Sequence, residues 1–245
     1  FNVLVYNYIR KKGVFSTVQA VKNDEINKAH IFLPYALYQG SICMFWNTNE
    51  LHGLPHNPFK SCVAPRPIGW ISSVSADGHI NLAPYSFFNA VGSEPPMVMF
   101  SSTGVAPRPT KDTVSNIEAT GEFVCNMVTW ELRDQMNATS APAPAETNEF
   151  ELAGLEMEPS KLVKPPRVKA APIQMECTYV KTIDLPCDTP GGRNVMIIGQ
   201  VIGIRINDAF LIDGKIDMEK IQPLARMGYQ DYSSVEKIFT LNRPK

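Results

Sequence analysis

Two short segments carry residue types that could hold a phosphate ester. One is Ser101-Ser102-Thr103-Gly104. The other is Lys111-Asp112-Thr113, just ahead of a helix-forming stretch. Small hydroxyls donate to phosphate oxygens, glycine exposes backbone, and lysine adds a point charge. The free N–H groups and positive end of a helix favour a dianion. The same residues also fit a solvated loop beside a capped helix, and residue type alone leaves both open. A third segment, Tyr85-Ser86-Phe87-Phe88-Asn89, adds hydroxyls, an amide and three rings at a strand end. That suits either aromatic plugs in a core or a flat aromatic ligand with a polar tail.

Other chemistry finds little support. The chain has no G-x-S-x-G, no G-x-x-x-x-G-K-[ST] and no G-x-G-x-x-G, so a nucleophile elbow, a P-loop and a Rossmann unit are unsupported. His79 is the one histidine near the hydroxyl-rich segments, and a serine without a base is a hydrogen-bonding group. His52 and His56 look like a metal pair. Gly53 and Pro55 between them prevent the helix that would align them, so loop packing or capping is expected instead of zinc. Binding groups without an acid–base pair are the profile of a protein that positions a cofactor and leaves the chemistry to it.

Composition narrows the setting. The 245 residues are 44% hydrophobic and 19% charged, with a formal net charge of -1, which argues against nucleic acid or an anionic membrane surface as partner. No apolar run reaches the ~20 residues of a membrane helix. Five scattered cysteines without C-x-x-C read as idle thiols of a reducing cytoplasm.

The elements that must position these segments are mostly strands. Twenty prolines and fifteen glycines favour a turn-rich β protein. Ile68–Ser75 and His79–Leu82 read as a hairpin, with Asp77-Gly78 as a two-residue type I′ turn. Pro84 is expected to end the pairing, because it has no N–H to give. Met97–Phe100 forms the strand that delivers Ser101 and Ser102. Val114–Ala119 is a short helix stopped by Gly121, with Asp112 or Thr113 as its cap. Glu122–Val128 and the alternating Ile173, Met175, Cys177 and Tyr179 are further strands. Asn194–Asn207 is a long β-branched run whose Gly199 and Gly203 imply tight curvature or close approach of another backbone. Six strands with little helix between them predict a closed antiparallel barrel. Residues 1–43 are read as an extension with weak fold information, and Met44 as the native start, leaving one domain over 44–245.

The motifs P-R-P-I-G-W-I-S-S, N-L-A-P-Y-S-F-F-N, F-S-S followed by K-D-T, T-G-E-F-V-C-N and M-N-A-T-S-A occur in that order. With the leader H-G-L-P-H-N-P-F and the tail R-M-G-Y-Q-D-Y, the chain resembles the flavin reductase-like family. These are FMN-binding split barrels that include flavoredoxins and the reductase components of two-component monooxygenases. The resemblance runs from about Met44 to Pro244 and implies a mainly β, six-stranded antiparallel split barrel with a few short helices. It implies a cytoplasmic homodimer binding FMN, with NADH or NADPH as reductant and a monooxygenase or other electron acceptor as partner. By motif, Trp70, Ile71, Ser72 and Ser73 would line the flavin. Asn81, Ala83, Pro84, Tyr85, Ser86 and Phe87 would serve the ring edge and ribityl chain. Ser101, Ser102, Lys111, Asp112 and Thr113 would hold the phosphate. Asp112 is the odd member, because a carboxylate repels phosphate, so its expected role is capping the helix or fixing Lys111. Transfer from a nicotinamide needs no side-chain base, so no catalytic residue is named. The alternative within this resemblance is a tight FMN-binding electron carrier without nicotinamide activity. An oxidase of the pyridoxamine-phosphate type shares the barrel but not these motifs.

Overall fold

The computed structural model describes residues 43–244. Most of the 1–43 extension, and with it the start-site reading, lies outside the described residues. The chain divides into a unit ending at Asn57 and a larger one from Pro58 onward. Within the first, residues 43–57 form turns without strands. His52 Nδ1 accepts from the Leu54 N–H at 3.0 Å, and the His52 ring lies edge-on to Trp46.

The larger unit is built on one antiparallel sheet. Its strands are β1 (Gly69–Val74), β2 (Ile80–Tyr85), β3 (Phe88–Ser93), β4 (Pro96–Gly104), β5 (Glu122–Met127), β6 (Ile173–Leu185) and β7 (Arg193–Ile206). Their order across the sheet is β2-β1-β5-β6-β7-β4-β3. The two end strands are consecutive in the chain, joined only by Ser86 and Phe87. Three Cα steps from Tyr85 to Phe88 span at most ~11 Å. The sheet must therefore curl until its edges nearly meet, and the Ser101 N–H bonds to the Phe87 carbonyl across that corner at 2.8 Å. This is a split barrel, closed by the chain and not by a β2–β3 ladder. The expected six strands and closed ring are corrected on both counts: the sheet has seven strands and is open. The added strand is β3, whose residues read as loop and turn.

Two further corrections concern the opening hairpin. Gly78 sits at φ +90°, but Asp77 is not among the positive-φ residues. The Gly78 N–H bonds Ser75 O and the Ser75 N–H bonds His79 O. The connection is thus a three-residue loop ending in a left-handed glycine, and not a two-residue type I′ turn. Pro84 does not end the strand; it lies opposite Trp70 within the ladder. A proline is tolerated there because β2 is an edge and the missing N–H would face away from β1. The edge is blunted further by Glu149, whose carboxylate accepts the Leu82 N–H at 2.9 Å.

Alternation along β1 and β2 divides the apolar residues between two cores. Ile71 faces the barrel interior with Val98, Phe100, Phe123, Val195 and Ile197. Trp70 and Leu82 face outward and are covered by Met136 of α2 (Arg133–Ala138) and Phe150 of α3 (Glu149–Leu152). The helix α1 (Asp112–Thr120) lays Val114 and Ile117 into the inner core. It ends at Gly121, as expected, with the Gly121 N–H on Ile117 O at 2.9 Å. A second, three-stranded sheet pairs Arg66–Pro67 with β8 (Leu224–Gly228), and β8 with β9 (Asp231–Ser234). Among the described residues no helix is long and apolar enough to cross a membrane.

Gly199 shows why the long strand needs glycine. A Cβ there would meet the Phe123 ring at 2.3 Å, and Phe123 is fully buried. Gly199→Ala is expected to cost about 1–3 kcal/mol, the scale of overpacking a filled core. Urea unfolding checks this, and an unchanged midpoint would contradict the close approach.

Candidate functional site

Ser102 of β4 and Thr113 of α1 come together at the Tyr85 hydroxyl, beside the N-terminus of α1. Strand β4 runs through Gly104, so Ser101, Ser102 and Thr103 lie within it instead of in a loop beyond its end. Ser102 is 3% exposed and its Oγ has no hydrogen-bond partner. The Tyr85 hydroxyl, from the end of β2, faces the Thr113 and Ser102 hydroxyls. It comes near Ser102 Oγ without reaching hydrogen-bond geometry. Burial pushes the Tyr85 phenol up to about 12, so it is a neutral donor across the physiological range. Asn81 Nδ2 donates to Thr113 Oγ1 at 2.7 Å, tying the edge strand to the first turn of the helix. A buried hydroxyl left unpartnered is uncommon, because it forfeits its hydrogen bonds to water without replacement.

Helix α1 is held firmly for this task. Asn116 Nδ2 donates to Ser73 Oγ at 3.2 Å. At the outer face, Glu118 accepts from Arg193 at 3.1 Å and from Thr182 at 2.8 Å, while Arg193 also donates to Asp184 at 3.0 Å. The helix is therefore anchored to β1, β6 and β7. Lys111 occupies its N-cap position, and no side chain caps the helix. The expected cap by Asp112 or Thr113 is thus corrected: Thr113 is engaged by Asn81. Asp112 instead takes both Oδ atoms to Arg108 Nη2 at 2.6 Å, so its charge is offset by an arginine and not by Lys111. Lys111 is exposed at the helix mouth.

Not all predicted residues gather here. Trp70 and Ser72 face the outer layer, fully buried; Trp70 Nε1 donates to Thr139 Oγ1 at 2.9 Å and Ser72 Oγ to Pro166 O at 2.5 Å. Ile71 belongs to the barrel core. Ala83, Pro84 and Ser86 are half-buried, and Phe87 is exposed beneath the Arg66 guanidinium, 5.7 Å from its centroid. Pro84 and Ser86 also border a cavity of about 620 Å³ on the outer side of β2, walled by Trp130, Arg133, Arg226 and Tyr232. That volume lies within the range of small-molecule sites. Sequence reasoning missed Asn116, Arg66 and Arg133 as site neighbours. Arg226 was visible only as part of the tail motif, and nothing in the sequence announces that it lies opposite Arg66.

Comparison with known proteins agrees with this fold. Residues 61–220 match the model of the Flavin reductase like domain. An uncharacterized protein of Aquifex aeolicus is 42% identical over 171 residues, covering 69% of this chain and 84% of that protein. The crystal structure of nitrilotriacetate monooxygenase component B from Bacillus cereus superposes with a TM-score of 0.74 at 29% identity. It covers 82% of this chain and all of the other. The 2-nitrobenzoate 2-nitroreductase of Pseudomonas fluorescens gives 0.67 at 28% identity, over 76% of this chain and 88% of its own. On the fold and the match across most of the larger unit, this chain belongs to the flavin reductase like family.

Proposed function

We propose that this protein binds FMN and works as an NAD(P)H-dependent flavin reductase, passing reduced flavin or electrons to a partner oxygenase or another acceptor. One observation carries the reading: the buried Ser102 hydroxyl, without a partner, at the mouth of an anchored helix N-terminus. The donor set fits a phosphate monoester. Ser102 Oγ, the Tyr85 and Thr113 hydroxyls and the first free N–H groups of α1 supply neutral donors, and Lys111 supplies the charge. When bound, FMN supplies the two-electron redox chemistry. The chain's own residues bind and orient it. Ser101 and Ser102 hold the phosphate end from β4, and Lys111 and Thr113 hold it from α1. The stretch Asn81–Phe87 runs from that end toward the open corner of the barrel and would line the ribityl chain and ring. Trp70–Ser73 form the packed wall behind it.

The physiological form we propose is a cytoplasmic homodimer. Apolar side chains left exposed on the strands, Val91, Val180, Ile202 and Ile204, are what a second copy would cover. The similar Bacillus cereus protein is named component B of a nitrilotriacetate monooxygenase, which supports an oxygenase as the acceptor.

Steady-state oxidation of NADH and NADPH with added FMN tests the activity. Turnover with at least one nucleotide is expected. Absence of turnover with both, in protein that retains flavin, would replace this reading with the electron carrier. The phosphate site has its own tests. Lys111→Ala is expected to weaken FMN by ~1–3 kcal/mol, the scale of a lost charge-assisted hydrogen bond; unchanged affinity removes Lys111 from the site. Ser102→Ala should weaken FMN while leaving the apoprotein as stable as before, or more stable by up to ~1 kcal/mol, because it removes an unsatisfied buried hydroxyl. Thermal unfolding of the apoprotein beside a flavin-fluorescence titration reads both. A less stable apoprotein with full FMN affinity would make Ser102 a structural residue only.

A further inference from the structure

A guanidinium that the chain holds in place without neutralising it stands on the outer side of β2. Arg226 of β8 donates to the Tyr232 hydroxyl and the Tyr229 carbonyl, both neutral acceptors. Those two bonds leave N–H groups of the guanidinium fork to spare. Ion pairs among the described residues engage Arg108, Arg133, Arg167, Lys169, Arg193 and Arg205, and not Arg226. The residue opposite Arg226 in its ladder is Arg66, so the chain adds positive charge behind it instead of cancelling it. A cation oriented by neutral groups, with its charge left over, is preorganised to receive an anion.

The surroundings say what kind of anion would complete it. Arg226 lines the 620 Å³ cavity. So does Arg133, whose Nη1 donates to the Trp130 carbonyl at 2.7 Å. Its ion-pair neighbour, Asp134, is 3.5 Å away and 82% exposed, too solvated to neutralise it. The floor is apolar: Ile68, Met136 and Leu224 are buried members of the outer core. Two half-exposed rings stand in the walls, each with a guanidinium over one face: Trp130 with Arg133 at 4.2 Å, and Tyr232 with Arg226 at 4.4 Å. An apolar floor, ring surfaces and adjacent cations suit a flat apolar body that carries its charge at one edge. A guanidinium fork takes carboxylate and phosphate alike. Asp134 also lines the cavity beside the two arginines, leaving a single positive charge in excess in the wall, and that favours a monoanion over a dianion.

We infer that the cavity between α2 and the tail sheet binds a small aromatic carboxylic acid, with Arg226 and Arg133 receiving its carboxylate and Trp130 and Tyr232 offering their rings to its flat body. The inference goes beyond the reductase reading and stands without it, because it asks only for the cavity, its two guanidiniums and its two rings. Pro84 and Ser86 border the same cavity, so a bound acid would lie beside the stretch read above as the flavin cradle.

Calorimetric titration of the full chain, with FMN present in excess to occupy the α1 end, tests it with benzoate and 2-naphthoate as probes. Benzamide supplies a ring without the charge, and cyclohexanecarboxylate the charge without a flat ring. At least one aromatic acid should bind with a Kd of roughly 0.01–1 mM. It should bind about 10-fold or more tighter than either control, the scale of one charge-assisted contact or one aromatic stack. Arg226→Gln should weaken the aromatic acid by roughly 10- to 100-fold. Arg133→Gln, outside the tail sheet and free of its folding contacts, should weaken it in the same direction. Trp130→Ala should weaken the aromatic acid more than it weakens cyclohexanecarboxylate. No binding of either acid, affinity equal to that of the controls, or affinity unchanged in both arginine variants overturns the site. Phenyl phosphate binding tighter than benzoate by about 10-fold or more overturns the assignment to a carboxylate.

Discussion

The structure depends on how α1 is seated in the mouth of the split barrel. The hydrogen bond from Asn81 to Thr113 joins the edge strand β2 to the first turn of the helix. Val114 and Ile117 complete the inner core, and Asn116 fixes the next turn to Ser73. Once these contacts are made, the helix end, Ser102 and the Tyr85 hydroxyl must share one small volume. In the reading proposed above, the phosphate site is a by-product of leaving that mouth to a helix, with no β2–β3 ladder across it.

That closure also explains the two faces of β2. Its inward residues, Asn81 and Tyr85, serve the helix end, while its outward residues, Leu82 and Pro84, meet the second core and the outer cavity. An interior strand would spend its second edge on a neighbour. As an edge, β2 can accept proline and be shielded by the Glu149 carboxylate.

How much of this was legible in the sequence differs by residue. Ser102, Lys111 and Thr113 could be picked out as candidates, because each belongs to a short motif whose chemistry is local, whereas the meeting of Ser102 and Thr113 at Tyr85 was not stated by any motif. The stop at Gly121 was readable for the same reason, while the group nearest Gly199 is the Phe123 ring instead of the expected backbone. Turn type was not. Asp77-Gly78 and Asp213-Gly214 look alike, yet only the second pair has positive φ at both residues and joins strands across two residues. The first sits in a three-residue loop, because the register of β1 on β2 demands one more residue. Pro84 was misread because the cost of a proline depends on whether its strand has one neighbour or two, which a linear pattern does not state. The pairing of Arg66 with Arg226 was invisible because it exists only once distant segments of the chain are brought together in the small sheet.

The central claim is that the end of α1, with Ser102, holds the phosphate of a flavin mononucleotide. Its most direct test is the affinity of the apoprotein for FMN beside that for riboflavin, which has the same ring and ribityl chain without the phosphate. The account predicts riboflavin to bind weaker by roughly 100-fold or more, the worth of two charge-assisted hydrogen bonds. Equal affinity for the two flavins would contradict it.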